Sequence, residues 1–196
     1  MLTTECLAPS SCFYQHTLPD SLLAFTTVSV DALLNPFPET TPISKTLRRH
    51  RLNESQLPPL LAFIRQLTSA LSVSALTLVV GLLYMRRLAK ALQPAHYATS
   101  PGTAHRVFIA SIMIASKYLD DEQPLTSARL ARTLHAIGIA AWNSREISRM
   151  ERALLTFLKF NIEVDMDAVR QLVRDNGLGN LEGELLKDLR VPSLDD

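Results

Sequence analysis

Two charged residues stand where helical patterning calls for apolar ones. Lys117 follows Met113 and Ile114 by one turn, at the end of the run Val107-Phe108-Ile109-Ala110-Ser111-Ile112-Met113-Ile114-Ala115, so its stem projects from an apolar surface. Glu151 has Ile147 four residues before it and Leu154, Leu155 and Leu158 three, four and seven after it, which sets it on or at the edge of an apolar stripe. A charge on a buried face is costly unless it is paired or hydrogen-bonded. Three arrangements meet that cost. In one, Lys117 snorkels to solvent and Glu151 sits on the border of its stripe, each a routine surface charge. In another, the two form a structural ion pair between helices. In the third they form a polar anchor that offers hydrogen bonds to a partner's backbone within an apolar docking face. Spacing does not separate the last two.

The other reactive residue types form no comparable pattern. His16, His50, His96, His105 and His135 share no ligand spacing with one another or with Cys6 and Cys12, so neither a metal nor a cofactor is expected. There is no GxSxG, no phosphate-binding glycine loop and no HExxH, and no nucleophile with a base beside it. Catalytic residues and a small-molecule substrate are therefore not expected. Asp120, Asp121 and Glu122 fall at the C-terminal end of a helix, the unfavourable end for carboxylates, and read as a solvated loop. Arg145, Arg149 and Arg152 share one helical face; the first reading is a solvated face, the second contact with phosphate or nucleic acid. His105, beside Arg106 at the start of its helix, reads as bonding a neighbouring loop, and Trp142 reads as a hydrophobic staple before the Asn143 cap.

These residues need helices to position them. The segment 1–50 is rich in Ser, Thr and Pro and weakly periodic, and reads as a largely irregular arm. Its apolar run 22–30 is open between a helix and an extended packing segment. The cluster Lys45, Arg48, Arg49, His50 and Arg51 ends the arm as a solvated basic linker, with an import signal as the other reading. From Leu57 the period becomes helical. Five helices are expected at 58–71, from Ser72 or Ser74 to 92, 100–119, 126–137 and 143–160. Their signals are Pro58-Pro59 in a first turn, the Ser100-Pro101 pair, the stop at Gln93-Pro94, Gly138 as a terminator, and the Asn143-x-x-Glu146 capping box. The helix carrying 107–115 is apolar nearly all round, so the others must surround it. A sixth helix runs from Asp165 to Gly177, and a last amphipathic turn lies within 181–189. The fold class is all-α, a five-helix bundle around a central third helix, with the irregular arm before it and a short helical extension after it. The divisions are 1–50, 51–164 and 165–196.

Composition agrees with a packed domain. The 196 residues hold 20 Lys plus Arg against 19 Asp plus Glu, and 47% are hydrophobic, which excludes wholesale disorder and argues against a general polyanion binder. Two cysteines make no disulfide framework, and the start MLTTECLAPSSCFYQH lacks the basic and apolar regions of a signal peptide, so an intracellular location, nucleus or cytoplasm, is expected. The longest apolar stretch, 75–85, is about half of the roughly 20 residues a membrane span needs, so no membrane partner is expected.

At the third and fifth helices the chain resembles a known family. The string His105-Arg106-Val107-Phe108-Ile109-Ala110-Ser111, leading to Ala115-Ser116-Lys117-Tyr118-Leu119-Asp120-Asp121, is similar to the third helix of the cyclin box. Glu146-Ile147, Met150-Glu151-Arg152-Ala153-Leu154-Leu155 and Phe157-Leu158-Lys159-Phe160-Asn161-Ile162 resemble its fifth helix and exit. The likeness covers about 57–164 and is nearest to single-box cyclins of the fungal phosphate-signalling type and the related P- or U-type cyclins of plants and protists. It implies a regulatory subunit, not an enzyme, that pairs with a cyclin-dependent protein kinase and activates it by docking on its regulatory helix. It also implies that Lys117 and Glu151 are held together to bond the backbone around that helix, while Ile114, Tyr118, Leu155, Phe160 and Ile162 pack against it. The alternative is a cyclin-fold module that binds transcription factors or nucleic acid, for which the Arg145, Arg149, Arg152 face is the support. Departures exist. Where the family carries Tyr-Leu-Asp-Arg in its second helix this chain has Tyr84-Met85-Arg86-Arg87, and where Trp or Tyr precedes Ala-Lys in the fourth it has Leu130-Ala131-Arg132. A second box is absent from the residues after Val164.

Overall fold

The apolar run 107–115 becomes the middle of the molecule. In a computed structural model, which describes residues 18–34, 57–92, 102–120 and 122–179, helix α4 (Thr103–Leu119) has nine consecutive buried residues, Phe108 to Ser116. A helix buried on every face needs neighbours on every side, and α4 has them: α1 (Asp20–Leu34), α2 (Leu60–Leu71), α3 (Ala75–Leu92) and α6 (Ser144–Phe157) all pack against it. Helix α5 (Ser127–Ala136) packs on α2 and α6, and α7 (Met166–Asp175) on α3. The described residues are all-α, and α2 to α6 form the expected five-helix bundle around its third member.

The caps explain why the helices start and stop where they do. Ser74 Oγ accepts from Thr77 N at the start of α3, and Thr126 Oγ1 from Arg129 N at the start of α5. At α6 the capping box closes in both directions: Glu146 N donates to Asn143 Oδ1 at 3.0 Å, and Asn143 N to Glu146 Oε2 at 2.8 Å. Asp165 caps α7 through Asp167 N. Gly138 and Gly177, both at positive φ, end α5 and α7. Trp142 is buried, as is Ile147 one turn into α6, and its ring meets Phe63 of α2 edge-on at 6.4 Å.

The run 22–30, left open between a helix and an extended segment, is helical: it lies within α1, whose Leu22, Leu23 and Val30 enter the core while Asp20 pairs with Arg65 of α2 at 2.8 Å. Two boundaries differ from expectation. Helix α4 begins at Thr103, because Gly102 at φ 84° lies outside the helical region and accepts the first intrahelical bond from Arg106 N. Helix α6 stops at Phe157 and not at 160, since Lys159 and Phe160 take φ of 53° and 56°, with Phe160 N bonding back to Leu155 O at 2.9 Å. Cys6, Cys12, the basic cluster 45–51, Gln93-Pro94, Ser100-Pro101, Asp121 and the turn expected within 181–189 lie outside the described residues. Among the described residues no helix is long and apolar enough to cross a membrane.

Candidate functional site

Lys117 and Glu151, 34 residues apart in sequence, are bonded: Nζ lies 2.5 Å from Oε1. The reading of two unrelated surface charges is therefore set aside. Lys117 sits in the last turn of α4, where a cation complements the exposed carbonyls of the helix end. Glu151 reaches it from the middle of α6, which packs along α4. The pair is lopsided in exposure, 41% for the Lys117 side chain and 13% for Glu151. The carboxylate is thus sheltered between helices, while the ammonium, with three donors and one given to Glu151, stays open to a further acceptor.

The apolar residues expected around this pair divide into two groups. Tyr118 is 37% exposed and Phe160 is 69% exposed, and Leu155 and Ile162 are half-buried. Ile114 is 2% exposed and belongs to the core, so it offers no surface of its own. Phe157 was not expected as a site residue. It is 49% exposed, but two positions along a helix is about 200° of rotation, so it lies on the opposite flank of α6 from Leu155.

The link 161–164, which carries Ile162, is held by side chains far away in sequence. Arg87 of α3 donates to Asn161 O at 3.0 Å and to Glu163 O at 2.6 Å. Between them Tyr84 Oη donates to Ile162 O at 2.7 Å, and Val164 N donates to Tyr118 Oη at 3.3 Å. The four residues of an irregular segment thereby find partners that no secondary structure would supply. Tyr84 is fully buried, and that burial, with the neighbouring Tyr118 adding and Arg87 opposing, drives its phenol far above the usual range, so it remains a donor. The Arg87 guanidinium also lies 5.8 Å from the Tyr84 ring centre. Neither residue was legible as a site residue. The available signal was the departure at Tyr84-Met85-Arg86-Arg87, where Arg86, in the place of the expected aspartate, lies 6.0 Å from the ring centre of Phe25 on α1.

His105 and the acidic run have structural roles. His105 Nε2 bonds Pro58 O at 3.0 Å, before α2, and its ring meets Phe63 edge-on at 4.7 Å. Burial lowers its pKa, against smaller raising effects of the Pro58 carbonyl and Asp31, so the neutral tautomer with Nε2 as donor is favoured. Asp120 Oδ1 accepts from Glu122 N and Gln123 N, which makes the acidic run a loop stabilised by its own side chain. Among the described residues no group of three or more His, Cys, Asp or Glu could hold a metal ion. Arg145, Arg149 and Arg152 are exposed on α6.

The chain as a whole is similar to known proteins. A family model described as the cyclin N-terminal domain matches residues 31–163. The chain is 30% identical over 134 residues to PHO85 cyclin-1 of Saccharomyces cerevisiae, covering 67% of this chain and 43% of that protein. It is 27% identical over 110 residues to PHO85 cyclin-2 of the same yeast, covering 56% and 34%, and 27% over 148 residues to its PHO85 cyclin-9, covering 74% and 47%. The matches therefore span less than half the length of these curated relatives. No solved structure matches the chain.

Proposed function

This chain belongs to the cyclin family, and from that membership we propose that it binds a cyclin-dependent protein kinase and activates it through the face built around Lys117 and Glu151. The observation that carries the reading is the 2.5 Å pair, with its carboxylate sheltered, its ammonium accessible and exposed aromatic surface beside it. Lys117 and Glu151 offer hydrogen bonds to the backbone flanking the kinase's regulatory helix. Tyr118, Leu155, Phe160 and Ile162 cover its apolar side, and Ile114 holds them from below. Such a face acts by population shift. It binds the helix in its inward position, where the helix glutamate meets the lysine that holds ATP, and so raises the fraction of kinase competent for phosphotransfer. The chain itself contributes no catalytic group in this reading; its role is regulatory.

The yeast relatives are named as cyclins of PHO85, which supports a kinase partner of that class for this chain as well. The test is to purify the chain from its native cell, identify the cyclin-dependent kinase that accompanies it, and reconstitute the two from pure components. A complex of one chain with one kinase, and a phosphotransfer rate well above that of the kinase alone, are expected. A kinase whose rate is unchanged by saturating amounts of the chain would sink the activation, and wild-type affinity in a variant lacking both Lys117 and Glu151 would sink the face.

A further inference from the structure

We propose that the outward faces of α5 and α6 form a docking surface for an acidic, carboxylate-rich segment of a protein partner. The two helices pack against each other, and each turns its apolar stripe inward, Leu130 and Leu134 on α5 and Ile147 and Leu154 on α6. On α6, Arg145, Arg149 and Arg152 lie about 140° to 200° round from Ile147, and on α5 Arg132 lies about 200° round from Leu130. All four are exposed.

What distinguishes this surface from an ordinary solvated one is where its counter-charges went. Helix α5 has no carboxylate, and α6 has two. Glu146 is spent on the capping box, and Glu151 holds Lys117 of α4. Both acids of α6 are therefore engaged elsewhere, and the four outward arginines have no carboxylate partner among the described residues. Two of them are also oriented. Arg132 Nε donates to Ala128 O at 3.4 Å and Arg152 Nε to Ser148 O at 3.2 Å, each tethering a guanidinium whose Nη groups make no bond among the described residues.

The size and sign of the patch select the occupant. From Arg145 to Arg152 is about 10 Å along the helix, the reach of roughly three residues of extended peptide. Guanidinium forks take carboxylates in bidentate fashion, and a short run of Asp or Glu supplies carboxylates at that spacing. A nucleic acid calls for a longer track of cations, and the chain as a whole carries a formal net charge of only +1. The outward arginines lie about 100° to 160° round α6 from Glu151, so an acidic segment seats without displacing a protein bound at the Lys117–Glu151 face.

The experiment is fluorescence anisotropy with the full chain, using a labelled peptide of alternating Glu and Ser, its Gln and Ser twin, and a labelled single-stranded oligonucleotide of the same length. The Glu peptide is expected to bind, the Gln peptide not, and the affinity to fall as salt is raised. Arg149→Glu combined with Arg152→Glu should weaken binding at least about tenfold, and Arg149→Gln alone, the milder variant should the reversal fail to fold, about threefold. Lys117→Ala with Glu151→Ala should leave it unchanged, which separates this surface from the kinase reading. Equal binding of the two peptides, absence of binding, or full affinity in a folded arginine variant overturns the proposal. Tighter binding of the oligonucleotide, competitive with the peptide, overturns the choice of a protein partner.

Discussion

Replacing Lys117 and Glu151 by alanine, singly and together, separates a structural pair from a docking anchor. In the free chain the bond joins a sheltered carboxylate to an ammonium on a side chain 41% exposed, so solvent screening keeps its contribution to stability near that of a surface pair, about 0.5–1 kcal/mol. For a chain of this size that is a loss of roughly 1–4 °C in thermal midpoint. The complex is different. A kinase helix seated across the face removes water from both groups, and breaking one member of a desolvated pair then costs about 3–5 kcal/mol, or roughly 150- to 5,000-fold in Kd. The assay is a double-mutant cycle measured twice, by thermal denaturation of the free chain and by calorimetric titration with the kinase. Small coupling in the first and large coupling in the second is expected. The reverse result, a marked loss of stability with wild-type affinity in every variant that folds, would refute the anchor and leave a structural tie between α4 and α6.

The clamp on the link 161–164 predicts that Arg87→Ala, which frees two carbonyls, lowers stability by about 1–2 kcal/mol by denaturant titration and weakens kinase binding by loosening Ile162. Tyr84→Phe should cost about 1–2 kcal/mol for one unpaired carbonyl. Because the folded phenol ionises well above its unfolded counterpart, the wild type should also lose stability as pH rises beyond about 10, a limb that Tyr84→Phe flattens. His105 runs the other way. Its folded pKa is depressed, so the unfolded chain takes up the proton first as pH falls below about 6.5, and the denaturation midpoint should drop from pH 7 to pH 5, less so in His105→Gln. Asn143→Ala removes the capping box and should cost about 1 kcal/mol, read as a lower thermal midpoint with kinase affinity retained at temperatures where the chain is folded.

Much of the architecture is local and was therefore legible. A helix registers its own period within a few turns, and its ends are set by side chains three or four residues away, which is why Asn143 with Glu146, Thr126, Ser74, Asp165, Gly138 and Gly177 mark real boundaries. The all-round apolar run 107–115 announced the central helix, because no other arrangement buries it. The end of α6 differed because it turns on a backbone conformation that residue type only weakly implies. Lys159 and Phe160 in the left-handed region are not written in the apolar stripe that precedes them.

The site is another matter. The sequence by itself determined that Lys117 and Glu151 had to be reconciled with apolar stripes, since desolvating a charge is costly wherever the stripe ends up. Only the packing of α6 along α4 decided that each reconciles the other, and that Ile114 is buried while Tyr118 and Phe160 are exposed. Only the packing of α3 beside the exit of α6 brought Tyr84 and Arg87, 78 and 74 residues away, to the carbonyls of the link. The physical reason is one of range. Periodicity and capping act over a turn or two of chain, whereas the bonds that build this surface join segments whose nearness exists only after the helices have buried their apolar faces against one another.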